Sequence, residues 1–201
     1  QDPKKIIETC RLIAPSFGGI NLEDISAPRC FEVEEKLQDL GIPVFHDDQH
    51  GTAIVLLAAL INSSKVTGQA LESMSVIING SGAAGIAIAK LISGVSSDNQ
   101  ELEAVADVIV CDSKGAISGD RTDLNDEKQK LLEFTNKKNV SGSVKEVLQG
   151  ANVFIGVSKG NVISAKDVQT MAKDPIILAM ANPTPEIMPD EAKKGGAIVI
   201  G

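Results

Sequence analysis

The stretch Met74-Ser-Val-Ile-Ile-Asn-Gly-Ser-Gly-Ala-Ala-Gly85 constrains this chain more than any other. Residues 74–79 form an apolar, β-branched run, as a buried strand requires, and residues 86–93 have the composition of a helix. Between them stands a G-x-G-x-x-G turn in the setting that gives the pattern its meaning, strand before and helix after. Gly80 permits the tight turn, Gly82 lets a pyrophosphate approach the backbone, and Gly85 lets the helix lie close on the strand. Ser81, Ala83 and Ala84 complete the loop, and free amides at the helix N-terminus face the phosphates. A unit of this kind predicts an α/β fold, a doubly wound and mainly parallel sheet with flanking helices.

Downstream, residues 104–111 read as the next strand, ending in Asp112. An acidic residue there normally bonds the adenosine ribose hydroxyls of a dinucleotide. It stands about 30 residues past the glycines where about 20 is usual, and a polar surface connection at residues 96–103 accounts for the excess. Ser113 and Lys114 sit beside it. A lysine there can instead meet a 2′-phosphate, so NAD and NADP both stay open. Residues 115–139, polar and lysine-rich, read as a surface loop and helix with solvated charges. A short helix at 144–148 precedes a strand at 151–157 that closes on Gly156, Val157 and Ser158. A helix at 165–172, a strand at 175–180 and a last strand at 197–200 follow. The strand at 175–180 opens into Ala181-Asn-Pro-Thr-Pro-Glu-Ile187. Asn182, held between a strand end and two prolines, can present its amide to a ligand or belong to a plain Asn-Pro turn.

Upstream, residues 3–13 have helical spacing and Pro15 stops them. A strand at 17–22 delivers Glu23 and Asp24, a helix follows at 28–40, and a strand at 42–45 enters Phe45-His-Asp-Asp-Gln-His-Gly-Thr-Ala53. Residues 52–64 then form a helix that turns at Gly68. Adjacent Asp47 and Asp48 are costly at a boundary between buried elements unless a cation is bound; the alternative is a solvated turn with an Asp helix cap. Glu23 and Asp24, taken alone, read as capping residues. Parallel strands joined by a crossover helix nevertheless bring both acidic pairs to one sheet edge. Oxygen ligands with few sulphur or imidazole competitors suit Mg²⁺ or Mn²⁺ rather than zinc.

Composition removes several classes. A net charge of −8 with only short lysine pairs argues against nucleic acid or an anionic membrane as partner. Small anionic ligands stay possible, since backbone amides bind them locally. Cys10, Cys30 and Cys111 lack metal-ligand spacing and read as reduced thiols of a cytoplasmic protein. The longest apolar run, residues 53–61, is too short to span a bilayer, and no signal peptide is visible. The 201 residues include no Tyr, so a mechanism that needs a tyrosine acid is not completed by this chain alone.

Together, Phe17-Gly-Gly-Ile-Asn-Leu-Glu-Asp24, Phe45-His-Asp-Asp-Gln-His-Gly-Thr52, the glycine loop, Cys111-Asp-Ser-Lys-Gly115 and Ala181-Asn-Pro-Thr-Pro-Glu186 resemble malic enzyme of the short bacterial and archaeal type. The resemblance implies metal-dependent oxidative decarboxylation of L-malate to pyruvate and CO₂ with reduction of NAD or NADP. It implies that Glu23, Asp24 and Asp48 ligate the metal and that Asp47 positions a catalytic lysine. Thr52, the loop from Gly80 to Gly85, Asp112, Ser113, Gly156, Val157 and Ser158 then contact the dinucleotide, and Asn182 the malate carboxylate. His46 and His50 are expected to shape their loop by hydrogen bonding. The family's tyrosine acid and lysine base lie upstream of residue 1, and a second substrate asparagine lies past Gly201. The expected organisation is therefore a Rossmann-type cofactor domain at 46–201 preceded by the tail of a second α/β domain at 1–45, inactive alone and part of a homo-oligomer. Malolactic enzyme shares much of this motif set, and a nucleotide-binding module with structural acidic pairs is the non-catalytic alternative.

Overall fold

The computed structural model describes residues 2–95 and 103–201; the polar connection expected at 96–103 lies outside the described residues except for Glu103. Helix α1 (Pro3–Ile13) is capped by the Asp2 side chain, which accepts from the Lys4 amide, and it has Pro3 in its first turn, where no amide is needed. A 3₁₀ turn at Ala14–Ser16 ends it. Strand β1 (Ile20–Leu22) pairs in parallel with β2 (Val44–His46), and α2 (Arg29–Glu35) crosses between them. This helix stops at Glu35, well short of the expected residue 40. Cys10, Leu22, Ile25, Cys30, Val33 and Leu37 form its small core.

A five-residue π-helical turn, Asp47–Gly51, joins β2 to α3 (Thr52–Thr67), which Gly68 ends in the left-handed conformation. Strand β3 (Ser75–Asn79) runs into α4 (Ala83–Ile92), and β4 (Asp107–Asp112) lies parallel beside it. A two-residue strand β5 (Gly115–Ala116) turns back antiparallel on β4, and α5 (Asp126–Leu131) follows. The remaining elements are α6 (Val144–Val147), β6 (Val153–Gly156), α7 (Ala165–Val168), β7 (Ile176–Ala179), α8 (Pro189–Lys194) and β8 (Val199–Ile200). Strand β5, helix α8 and the π-helical turn were not anticipated, and α7 is half its expected length.

The larger sheet has the order β5-β4-β3-β6-β7-β8, with every pair parallel except β4 with β5. Both faces are covered. Val76, Ile78, Val110, Ile155 and Leu178 point into one core with Leu56, Leu60 and Ile88. Ile77, Ile109, Phe154 and Ile177 alternate into a second core with Leu148 and Ala192. This is why the strands read as continuous apolar runs, and each such side chain contributes about 1.5–3 kcal/mol by leaving water. The chain leaves β3 toward β4 on one side and reaches β6 on the other, so the strand order reverses at the carboxyl end of β3. In sheets of this kind ligands bind at such a reversal.

Candidate dinucleotide site

At that reversal the register sets Asn79 opposite Cys111 on one side and Gly156 on the other. The Asn79 amide donates to Ser158 Oγ at 2.6 Å, tying the β3 end to the loop after β6. Each glycine of the loop has a separate reason to lack a side chain. A Cβ on Gly80, which has a φ of 133°, would lie 2.6 Å from the Val157 carbonyl oxygen, and one on Gly85 would lie 1.8 Å from the Gly80 oxygen. Gly82 has nothing within 4 Å of that position. The first and last are therefore closed by the protein itself, and the middle one faces open space, as an incoming phosphate requires.

This open space belongs to a cleft of about 690 Å³, a size suited to part of a dinucleotide. Gly80, Ser81, Gly82, Asp112, Ser113, Val157 and Ser158 line it, from three separate strand ends. Gly85 and Gly156 are buried behind it, while Ala83 and Ala84 turn their methyl groups into the cores. Thr52 heads α3 and Asn182 lies exposed beyond β7; neither lines this cleft.

Asp112 departs from expectation. Arg121 donates to both of its oxygens at 2.9 Å, Lys128 Nζ donates to Oδ2 at 2.6 Å, and the Lys114 amide donates to Oδ1 at 2.9 Å. Four donors fill the acceptor capacity of a carboxylate, so no open lone pair faces a ribose diol. Burial pushes the Asp112 carboxyl up, but the bonds from Arg121, Lys128 and the Lys114 amide overcome it and hold it at about 2. The charges of residues 115–139 are thus not all solvated. Arg121 and Lys128 turn inward because a two-residue strand and a helix N-terminus fold back over β4. Arg121 also donates to Asp123, a carboxyl held well below its usual range by Arg121 and Lys114.

Glu186 is the other residue that sequence reasoning missed. It is fully buried, and its carboxylate accepts from the Ser158 amide at 2.8 Å and the Ala181 amide at 3.2 Å. A Cβ on Gly156 would lie 2.2 Å from the Glu186 carboxyl carbon, which explains a glycine at the end of β6. A glutamate closing Asn-Pro-Thr-Pro-Glu, where exposed loops seldom need one, was the available signal.

The acidic pairs at the ends of β1 and β2 do meet, though not as a cluster of ligands. The Asp24 amide donates to Asp48 Oδ2 at 2.9 Å, with Asp24 in the left-handed conformation at φ 57°. Asp47 folds over Gly51, where an added Cβ would sit 2.1 Å from Asp47 Oδ1. Glu34 of α2 accepts from Gln49 at 2.9 Å and stands 2.7 Å from His50 Nε2. That bond raises the His50 pKa against the opposing effect of burial. His50 therefore braces the turn as expected. His46 does not: it is fully buried, and among the described residues neither ring nitrogen has a hydrogen-bond partner. Among the described residues, no three carboxylate, imidazole or thiol groups stand close enough together to hold a metal ion. Glu23, Asp24 and Asp48 as they stand do not fit one.

Cys10, Cys30 and Cys111 are buried free thiols, and burial pushes Cys111 up to about 12 and Cys30 to about 11. Among the described residues no helix is long and apolar enough to cross a membrane.

A doubly wound sheet with a glycine loop at its strand-order reversal and an acid on the next strand defines a dinucleotide-binding domain of Rossmann type. Residues 49–196 match the family described as malic enzyme, NAD binding domain, and residues 1–38 match malic enzyme, N-terminal domain. The chain belongs to the malic enzyme family. It is 52% identical to the bifunctional malic/malolactic enzyme of Bacillus subtilis, over 100% of this chain and 47% of that protein. It is 42% identical to the NADP-dependent malic enzyme of Haemophilus influenzae, over 96% of this chain and 24% of that one. The crystal structure of the NAD-dependent malic enzyme of Thermotoga maritima superposes with a TM-score of 0.92 at 40% identity, covering 100% of this chain and 52% of the other. The chain thus spans about half the length of these relatives, or less.

Proposed function

We propose that this chain is the dinucleotide-binding part, residues 46–201, of a malic enzyme, preceded by the tail of its substrate domain at 1–45. The whole protein would oxidise and decarboxylate L-malate to pyruvate and CO₂ while reducing NAD or NADP. The observation that carries the reading is the convergence of the glycine loop, the β4 end and the β6 end on one cleft whose only unfilled glycine is Gly82.

When bound, the dinucleotide supplies the hydride acceptor. This chain's residues hold it: the backbone from Gly80 to Gly85 takes the pyrophosphate, Asp112 and Ser113 lie toward the adenosine ribose, and Gly156, Val157 and Ser158 form the opposite wall. Thr52 is assigned to the cofactor, Asn182 to the malate carboxylate, and Asp47 to positioning a catalytic lysine. Glu23, Asp24 and Asp48 are the proposed ligands of Mg²⁺ or Mn²⁺, supported by their shared sheet edge and the bond from the Asp24 amide to Asp48. Their carboxylates must reorient to serve, so no step is assigned to a metal. Buried free thiols support a cytoplasmic location, and Ile54 and Val55, both more than half exposed on α3, support a homo-oligomer.

Fluorescence titration of the 201-residue chain with NADH and NADPH tests the reading. Saturable binding of at least one, without malate-dependent reduction of NAD or NADP, is expected, because the chain has no tyrosine to act as acid. Failure to bind either would sink it. The name of the Bacillus subtilis relative favours one second reading, malolactic chemistry. Release of L-lactate instead of pyruvate by the full-length protein would establish it.

A further inference from the structure

The turn between β2 and α3 is held from outside itself. Its five residues, Asp47–Gly51, take the π-helical register, with the Thr52 amide donating to the Asp47 carbonyl, and His46 ahead of it supplies no side-chain cap. Such turns are rare, and an ordinary α-helical turn is the competing arrangement. One side chain from another element grips this one. Gln49 Nε2 donates to Glu34 Oε2 at 2.9 Å, and His50 Nε2 stands 2.7 Å from Glu34 Oε1, so one carboxylate of α2 holds two consecutive residues of the turn. Gln49 is buried, and the His50 ring lies against Phe45 of β2 with centroids 5.8 Å apart. Glu34 is fixed at its root, since Cys30 and Val33 on the same helix are fully buried in the small core.

Consecutive side chains on an α-helix diverge by about 100°. The wider turn brings Gln49 and His50 nearer to one another, and rewinding it would pull them apart on Glu34. Asp47 and Asp48 ride on the same turn, Asp47 folded over Gly51 and Asp48 accepting from the Asp24 amide. A change of register would turn both carboxylates out of these contacts. The grip also lies apart from the dinucleotide. Glu34, Gln49 and His50 line a cleft of about 720 Å³ that shares no lining residue with the one around the glycine loop.

We propose that Glu34 is a positioning residue for the reaction: its carboxylate holds Gln49 and His50, keeps the turn in the π-helical register, and so fixes where Asp47 and Asp48 stand at the end of β2. The inference rests on the malate-oxidising reading above, in which Asp47 positions a catalytic lysine, and adds to it a residue outside the dinucleotide cleft.

Two measurements test it. In the 201-residue chain, Glu34→Ala should shift the amide resonances of residues 47–52 and speed hydrogen exchange at the Thr52 amide at least about tenfold. Glu34→Gln, which can accept from Gln49 and donate to a neutral His50 ring, should largely restore both. In the full-length protein, Glu34→Ala should lower kcat with malate about 10- to 100-fold and leave the dinucleotide KM within about twofold, with Glu34→Gln again restoring most of the rate. Val33→Ala, a cavity in the same helix, controls for general damage: it should destabilise the chain yet leave kcat of the folded protein within about twofold. The positioning role is overturned if kcat does not move in Glu34→Ala, if it falls equally in Val33→Ala, or if the resonances of the turn stay where they are. A parent protein that does not oxidise malate sinks the malate reading instead, and the hold of Glu34 on the turn is then upheld or overturned by the resonances alone.

Discussion

Two acidic places in this molecule look alike in sequence and differ in how their charge is met. At the β4 end, Asp112 receives four hydrogen bonds, two of them from one guanidinium, and is almost wholly enclosed. At the β2 end, Asp48 accepts from the Asp24 backbone amide, Asp47 leans over a glycine, and the ring nitrogens of His46, between strand and turn, have no hydrogen-bond partner among the described residues. The first place is finished by residues of this chain. The second brings carboxylates near one another, with the Asp24 amide as the donor to Asp48. The contrast separates an acid whose charge is met by side chains folded over it from acids at a strand end that are held mainly by backbone.

The sharpest way to break the contrast is at Gly85. Gly85→Ala would place a methyl 1.8 Å from the Gly80 oxygen, which is backbone and cannot yield. It should cost about 3 kcal/mol or more in urea unfolding and abolish dinucleotide binding, because α4 must lift from β3.

A smaller effect is expected at Asp112. Arg121→Ala leaves an enclosed carboxylate short of two donors and should destabilise by about 3 kcal/mol, whereas Asp48→Asn, at the β2 end, should cost well under 1 kcal/mol. The same carboxylate sets an acid limb. Asp112 titrates near 3.9 when unfolded and at about 2 when folded, so the unfolded chain binds more protons in between and stability rises with pH. Its contribution, roughly 2 kcal/mol, is fully present above about pH 5 and is lost as pH falls through about 2. Chemical denaturation across that window should show the slope in the parent chain and a shallower one in Arg121→Ala.

The least change in stability is expected at Gly82. An added Cβ there meets nothing, so Gly82→Ala should shift stability by less than about 0.5 kcal/mol yet weaken NADPH at least about tenfold, since the space is kept for the ligand. A stability loss comparable to that of Gly85→Ala would show that the loop does not separate protein-filled from ligand-filled positions.

The glycine loop, the parallel strands and both strand-end acids were legible because their signals are local: a run of β-branched residues, a turn and a helix succeed one another within 20 residues. Strand β5 was not, since two residues carry no periodicity and its pairing comes from folding back on β4. Arg121 and Lys128 were read as solvated for the same reason: nothing near them in sequence shows that Asp112 lies 9 and 16 residues away on the chain yet within 3 Å in space. Helix α2 ends early although its apolar spacing continues, because Leu37 is buried through a turn rather than a helix. Thr52 was placed by resemblance alone and Asn182 by resemblance and by its proline-flanked strand end, and the cleft around the glycine loop includes neither.

Glu186 ties the loop after β6 to the loop after β7 through one carboxylate, with the Ser158 amide on one oxygen and the Ala181 amide on the other. Separating those loops would strip a fully buried anion of a donor, so they are mechanically a single jaw. Whatever settles against Ser158 meets a wall whose far side already fixes the root of Asn182, and the spacing between the two is set before either is touched.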